Sequence, residues 1–248
     1  MLAGSAITNT GPTTVSGTAG GDMGSSPTAS FTGAADVTTT GTKYVAAATA
    51  VDDAKADLVL AYDDAAGRIP VNTVSADLGG QALLPGVYNS ASSLGLTGTL
   101  TLDAEDDPDA VFIFQAGSTL TTASASSVVL IRGAQPCKVF WHVGSSATFG
   151  TTTDFVGHVF ALTSITANNR ATFDGQLLAR NGAVTLDENT IVNDLCAEAT
   201  PTPTPTDTTD TGGELPDTDT TDWLLPLAGG LALVAVGAGV LFARRKRS

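Results

Sequence analysis

Between Val111 and Thr190 the chain repeats itself, and a repeat of this kind leaves few folds open. The run Phe112-Ile113-Phe114-Gln115-Ala116-Gly117-Ser118 returns 27 residues later as Val139-Phe140-Trp141-His142-Val143-Gly144-Ser145, with Thr121 falling on Thr148. Ala147-Thr148-Phe149 returns 24 residues on as Ala171-Thr172-Phe173, and Phe155, Gly157 and Ala161 return at 18 as Phe173, Gly175 and Ala179. Each unit is a short apolar run, a glycine, then serine or threonine. An irregular period of roughly 18 to 27 residues points to stacked coils that cannot bury an apolar face alone. The segments are rich in Val, Ile, Phe and Thr, alternate with period two and are broken by Gly and Asn, so the coils are built of strands. The fold class is therefore mainly β, a solenoid whose inward side chains form the core and whose outward side chains form columns. The alignment stacks Ser118, Ser145 and Asn169, with Thr121, Thr148 and Thr172 beside them.

One segment departs from this pattern. From Tyr44 to Ala66, residues Ala47, Val51, Ala54, Leu58, Ala61 and Ala65 recur at helical steps and make one apolar stripe, while Asp52, Asp53, Lys55, Asp63 and Asp64 lie mostly off it. The spacing predicts one long helix over about 44–66, lying along a flank of the solenoid, with Gly67 as a left-handed stop and Pro70 soon after. Residues 3–42 read as irregular Thr/Gly-rich coils, and Leu83 to Leu102 as further strand. Asp103, Glu105, Asp106, Asp107 and Asp109 form an acidic loop that lacks the glycine and spacing of a defined calcium loop, so it is read as solvated and no metal is expected.

Of the 25 acids and 11 bases, six acids (Asp207, Asp210, Glu214, Asp217, Asp219, Asp222) and four bases (Arg244, Arg245, Lys246, Arg247) lie beyond residue 199. That leaves 19 acids against 7 bases in residues 1–199, a field that excludes nucleic acid as the natural partner. The two cysteines, Cys137 and Cys196, are a candidate disulfide if the chain is exported; two separate buried thiols is the alternative. With two histidines, His142 and His158, no G-x-S-x-G elbow, no H-E-x-x-H and no phosphate-binding loop, neither an enzyme nor a cofactor is expected. His142 replaces Gln115 in the 27-residue register, which suggests a surface or edge position.

The last fifty residues change character. Residues 200–222 are Pro, Thr and Asp with a glycine pair, a disordered stalk by composition. Residues 223–243, opening on Trp223, carry no charge, and Leu224 to Ala243 is long enough to cross a membrane once; 244–248 form a basic tail. The expectation is a single-pass protein with its C-terminus in the cytoplasm and 1–199 as one folded domain outside, at the cell membrane or wall. Met1 enters a β-like pattern without a signal peptide, which suggests that one is missing.

Two resemblances sharpen this. Ala3-Gly4-Ser5-Ala6-Ile7-Thr8-Asn9-Thr10-Gly11-Pro12-Thr13 resembles the opening of the ice-binding-protein-like domain of microbial antifreeze proteins. So do Ala65-Ala66-Gly67-Arg68, Leu84-Pro85-Gly86-Val87-Tyr88, Asp109-Ala110-Val111-Phe112-Ile113-Phe114-Gln115 and Ala179-Arg180-Asn181-Gly182-Ala183-Val184-Thr185-Leu186-Asp187. The match runs from about residue 2 to 195. It implies an irregular right-handed, three-faced β-helix with one long helix alongside, acting on the surface of ice; a monomer is expected. Some members carry Thr-Ala/Gly-x-Thr/Asn on the ice face. Thr10-Gly11-Pro12-Thr13 fits that pattern, whereas Ser145-Ser146-Ala147-Thr148 and Asn169-Arg170-Ala171-Thr172 depart from it, Arg170 being a bulky charge where a flat face wants a small residue. The candidate ice-binding residues are thus Thr10, Thr13, Ser118, Thr121, Ser145, Thr148, Asn169 and Thr172. The alternative is a cell-surface adhesin or structural module on the same scaffold, binding carbohydrate or another cell. Leu215-Pro216-Asp217-Thr218-Asp219, before an apolar span and a basic tail, resembles a Gram-positive cell-wall sorting signal, but has Asp219 where that signal requires glycine.

Overall fold

The computed structural model describes residues 1–69 and 71–197. The stalk, the sorting-like motif Leu215–Asp219, the apolar run and the basic tail lie outside the described residues, among which no helix is long and apolar enough to cross a membrane.

The strands form three parallel sheets of nine, seven and eight strands, here sheets A, B and C, and each coil contributes one strand to each. From one end the coils run 86–103, 112–131, 139–156, 158–174 and 177–192. The next two coils are the first in sequence, 2–16 and 23–39: Ile7 pairs with Val184, and Val15 with Ile191. The chain therefore starts its stack at the far end, and must cross back over the whole length to begin a partial coil over 72–83, which pairs with the coil at 86. The crossing is the helix Thr49–Gly67. Its 19 residues span about 28 Å, against roughly 38 Å for the eight gaps of a nine-stranded sheet; extended segments at either end make up the rest.

The repeat registers hold where they stay within one sheet. Phe112 pairs with Val139 and Thr121 with Thr148 at an offset of 27; Phe155 pairs with Phe173 and Ala161 with Ala179 at 18. The 24-residue match does not hold. Ala147-Thr148-Phe149 pairs with Ile165-Thr166-Ala167 on sheet B, while Thr172 belongs to sheet C. Both sheets alternate inward residues with an outward threonine, so one local string serves two faces.

The interior is a column of aromatic rings. Phe114 stacks on Trp141 at 4.0 Å, Trp141 meets Phe155 at 4.8 Å, and Phe149 lies edge-on to Phe155 and Phe173. Trp141, 1% exposed, donates its indole N–H to the Val156 carbonyl at 2.9 Å. Where sheet C turns into sheet A, Gly157 and Gly175 have φ of 111° and 148° and stack so closely that a Cβ on Gly175 would lie 2.2 Å from the Gly157 carbonyl oxygen; no larger residue fits. The turn from B to C instead holds Ala125, Thr152, Arg170 and Glu188 at φ between 52° and 58°, at a cost on the order of 1 kcal/mol each. Inside that turn polar side chains take up the loose backbone groups. Asn189 donates to the Asn168 and Ala171 carbonyls, and the Thr122 hydroxyl accepts from Gly150 N–H.

The helix covers sheet A. Val51, Leu58, Tyr62 and Ala65 bury against Leu2 and Phe160. It begins at Thr49 rather than 44, because Lys43–Tyr44 is spent as the last strand of sheet A. Gly67 is its last helical residue and not a left-handed stop. Instead the Gln115 side chain, from the strand beneath, donates to the carbonyls of Ala65, Ala66 and Arg68, satisfying the helix end that a left-handed residue would otherwise close. His142 is likewise no edge residue. It packs under the helix at 4.4 Å from the Tyr62 ring, and burial lowers its pKa.

The acidic loop is tied to bases: Arg132 grips both oxygens of Asp103, which holds that carboxyl below its usual pKa, and Lys138 reaches Asp109 at 3.3 Å. Cys137 and Cys196 form a disulfide with Cα atoms 5.5 Å apart, closing a loop of 59 residues. It pins the end of the domain at the corner between sheets C and A, where the Gln135 side chain also brackets Ala197. A loop of that length corresponds to about 4 kcal/mol in the chain-entropy account, with 2–4 kcal/mol typical in practice. Reduction should therefore lower the unfolding free energy by that amount, read as a fall in the urea midpoint at unchanged slope. An unchanged midpoint would show that the bridge constrains nothing the fold does not already hold.

Candidate functional site

Sheet A is covered and sheets B and C are open, so the site is sought on those two. On each sheet B strand the first and third residues point in and the second points out, the period-two geometry of a strand. The inward pairs include Leu94 and Leu96, Ala147 and Phe149, Ile165 and Ala167, and Val184 and Leu186, all buried. The outward residues fall in one column, Gly95, Thr121, Thr148, Thr166, Thr185, Thr8 and Thr32, each paired in register with the next. At about 4.8 Å per coil the column is roughly 29 Å long.

The same register, carried two residues either way, gives the flanking rows. One is Ser93, Thr119, Ser146, Ser164, Ala183, Ala6 and Ser30, locked by backbone bonds such as Leu120 N–H to Ser146 O and Val184 N–H to Ala6 O. The other is Thr97, Ala123, Gly150, Asn168, Asp187, Thr10 and Ala34. No side chain in these rows is larger than Asn or Asp; Asp187 is the one charge within them, and Asp77, paired with Gly95, stands at the end of the column. A β-branched side chain on a paired strand has few rotamers, so these hydroxyls and methyls sit at fixed, repeating positions.

Sheet C has a column too: Thr99, Ser127, Asp154, Thr172, Thr190, Thr14 and Thr38. It is interrupted by the Asp154 carboxylate, which accepts from Thr172 at 2.8 Å, and is flanked by Val129, Asp174 and Val192. Sheet B is the flatter and more uniform face.

Of the residues singled out from the sequence, Thr121 and Thr148 lie in the sheet B column and Thr10 in a flanking row. Ser118 and Ser145 follow one another at the A-to-B corner, just beside the face. Thr13 is not on it: it is 1% exposed, and its hydroxyl accepts from Asn189 N–H at 3.1 Å inside the B-to-C corner. Thr172 is on sheet C and Asn169 on the B-to-C turn, where its carbonyl accepts from Thr152 N–H. Thr10-Gly11-Pro12-Thr13 therefore straddles a corner and does not mark a face. Arg170 sits on that corner as well, paired with Glu188 at 2.9 Å, so it does not break the flat surface. Four column residues were missed: Thr166, Thr185, Thr8 and Thr32. The 18-residue offset of Phe155 and Phe173, applied to Thr148, points to Thr166. Thr8 and Thr32 become visible only when the first coils are known to stack on the last.

Titration plays little part here. Asp174, on sheet C, has its pKa raised by burial and by the nearby Asp194 and Asp154 carboxylates, and one of its oxygens is buried without a partner. A carboxyl whose folded pKa is raised stabilises the fold least once it is ionised, so stability falls as pH rises through that window. Asp174→Asn should therefore raise stability at neutral pH by about 0.5 kcal/mol, after discounting for partial exposure, with no gain at pH 3; denaturation at the two pH values checks it. Among the described residues no group of three or more His, Cys, Asp or Glu is placed to hold a metal.

An ice-binding protein of Nostoc sp. (strain HG1) is 47% identical over 195 residues, 78% of this chain and 70% of that protein. Ice-binding protein 1 of Shewanella frigidimarina (strain NCIMB 400) is 38% identical over 60% of this chain, but over only 17% of its own length. Among solved structures, an ice-binding protein from an Antarctic biological consortium superposes with a TM-score of 0.69 at 43% identity, covering 77% of this chain and 86% of that one. The ice-binding protein of the Antarctic ascomycete Antarctomyces psychrotrophicus gives 0.69 at 38%, over 77% and 92%. The family model described as Ice-binding-like matches residues 1–192, the whole stack of coils with its helix, and the chain belongs to that family.

Proposed function

We propose that this protein binds ice through sheet B. The observation that carries the reading is the column Thr121, Thr148, Thr166, Thr185, Thr8 and Thr32, continuous in register and bordered only by small side chains. Each threonine offers a hydroxyl that can join an ordered water layer and a methyl that leaves neighbouring water little choice but a cage. Rigid side chains lose little entropy on binding, and repetition makes up for the weakness of each contact. A broken or charged outward face would favour the adhesin alternative; a face with one carboxylate within its rows, Asp187, and one at its end, Asp77, favours ice. Nothing in the family or in the face calls for catalysis, and the natural partner is a crystal surface. The test is thermal hysteresis and inhibition of ice recrystallisation by purified residues 1–197. Activity at micromolar protein supports the reading; its absence in folded protein removes it.

The cell-surface setting belongs to the same proposal. Support for it comes from sequence: a Pro/Thr/Asp stalk, an uncharged run from Leu224 to Ala243, and a basic tail. Within the described residues the domain ends at the corner between sheets C and A, where the disulfide and Gln135 hold its last residues. Mass spectrometry of the cell-bound form tests this, and separates a chain ending at Thr218 from one that keeps its basic tail. Recovery of the intact chain from the cytosol would contradict both.

A further inference from the structure

Asp187 is the one charge between the coils of the threonine face; Asp77, paired with Gly95 at the end of the column, has its carboxylate taken up by Gly79 and Thr97 N–H. Asp187 is the last residue of the strand Val184–Asp187, whose alternation turns Thr185 and Asp187 out and Val184 and Leu186 in. It pairs in register with Thr10 of the next coil, and the pairing of Thr166 with Thr185, carried on by two residues, sets it beside Asn168 of the coil before. Its position in the row is thus held by Asn on one side and Thr on the other. Its backbone N–H donates to Asn189, while its carboxylate accepts no hydrogen bond and meets no base among the described residues. The neighbouring Glu188, by contrast, is spent on Arg170. The Asp187 carboxylate therefore has no structural partner that would account for a charge at this place.

From this we infer that Asp187 sets the strength of ice binding, by holding it below what the scaffold allows. The inference rests on sheet B being the ice face. An ionised carboxylate keeps its hydration water oriented by its own field, and giving that water up is costly unless another group replaces it. Ice does not take up ions, so the lattice layer meeting the face cannot supply a counter-charge. The carboxylate must either stay hydrated, which holds the crystal off the middle of the threonine column, or be stripped at a penalty. Neutralising it without changing its shape removes that penalty and leaves the column whole.

The experiment compares residues 1–197 of the wild type with Asp187→Asn, with Asp187→Thr and with Asp174→Asn. The last removes one negative charge from sheet C, away from the face. The readouts are thermal hysteresis at matched concentration and the minimum concentration that stops recrystallisation, with circular dichroism to confirm folding. Asp187→Asn should raise hysteresis by about twofold and lower the recrystallisation endpoint in proportion, the penalty for a lone exposed charge being modest. Asp187→Thr should do at least as well, and Asp174→Asn should match the wild type. Equal or lower activity in both folded Asp187 variants, against an active wild type, overturns the inference and leaves the ice-binding reading standing. An equal gain from Asp174→Asn would assign the effect to net charge and also overturn it. If wild type and variants are all folded and inert, the functional reading falls, and this inference with it.

Discussion

Thr166→Lys is expected to abolish most of the ice-binding activity, lowering thermal hysteresis by at least about tenfold while leaving the fold intact. Thr166 is at the middle of the column, paired with Thr148 on one side and Thr185 on the other. A lysine there raises a long, hydrated ammonium out of a surface whose neighbours are Ser164, Asn168 and threonines, and it separates the crystal from the residues on both sides at once. Loss is steep because the contact is collective: many weak groups act together only if they share one plane. The cost to stability should stay within about 1 kcal/mol, since the site is an outward position on a sheet. Thr32→Lys, at the end of the column, leaves most of it continuous and should lose much less. Equal losses at the two positions would mean that the column does not act as a unit.

The second large effect concerns the core. Trp141→Ala should destabilise the domain by about 3–5 kcal/mol, the range for removing a large buried aromatic residue. The ring lies between Phe114 at 4.0 Å and Phe155 at 4.8 Å, in the wall between neighbouring coils, where strands held in register cannot close over the void. Its removal also leaves the Val156 carbonyl without its donor. Phe140→Ala, on the outer side of the same strand and only partly buried beneath the helix, should cost clearly less. Urea unfolding of the three proteins gives the comparison, and a loss at Trp141 below that at Phe140 would contradict the packing described.

How much of this was legible in the sequence can be judged residue by residue. The coil repeat, the two correct offsets, the one long helix and the cysteine pair follow from local pattern, because period two, period 3.6 and a lone pair of thiols are local signals. What failed depends on which coil lies next to which. Ala171-Thr172-Phe173 looks like Ala147-Thr148-Phe149 because both strands obey the same in-out rule, yet the two lie on different sheets. Thr13 resembles any other threonine until the corner folds it inward onto Asn189. The start of the helix was set too early because Tyr44 fits an apolar stripe as readily as a strand, and its end was assigned to Gly67 because the true cap, Gln115, comes from another coil. Above all, nothing local says that coil 2–16 stacks on coil 177–192. That follows only once the helix is recognised as the crossing that carries the chain from one end to the other, and without it Thr8 and Thr32, a third of the column's threonines, stay hidden.

The most direct measurement is incorporation into a slowly growing ice hemisphere of fluorescently labelled residues 1–197, carrying either Thr166→Lys on sheet B or Thr190→Lys on sheet C. Both are outward threonines on neighbouring coils, in columns of the same chemistry, and both variants receive the same charge. The predicted result is that the wild type and Thr190→Lys enter the ice while Thr166→Lys is excluded. Incorporation of Thr166→Lys together with exclusion of Thr190→Lys would place ice on sheet C and contradict the assignment of the face.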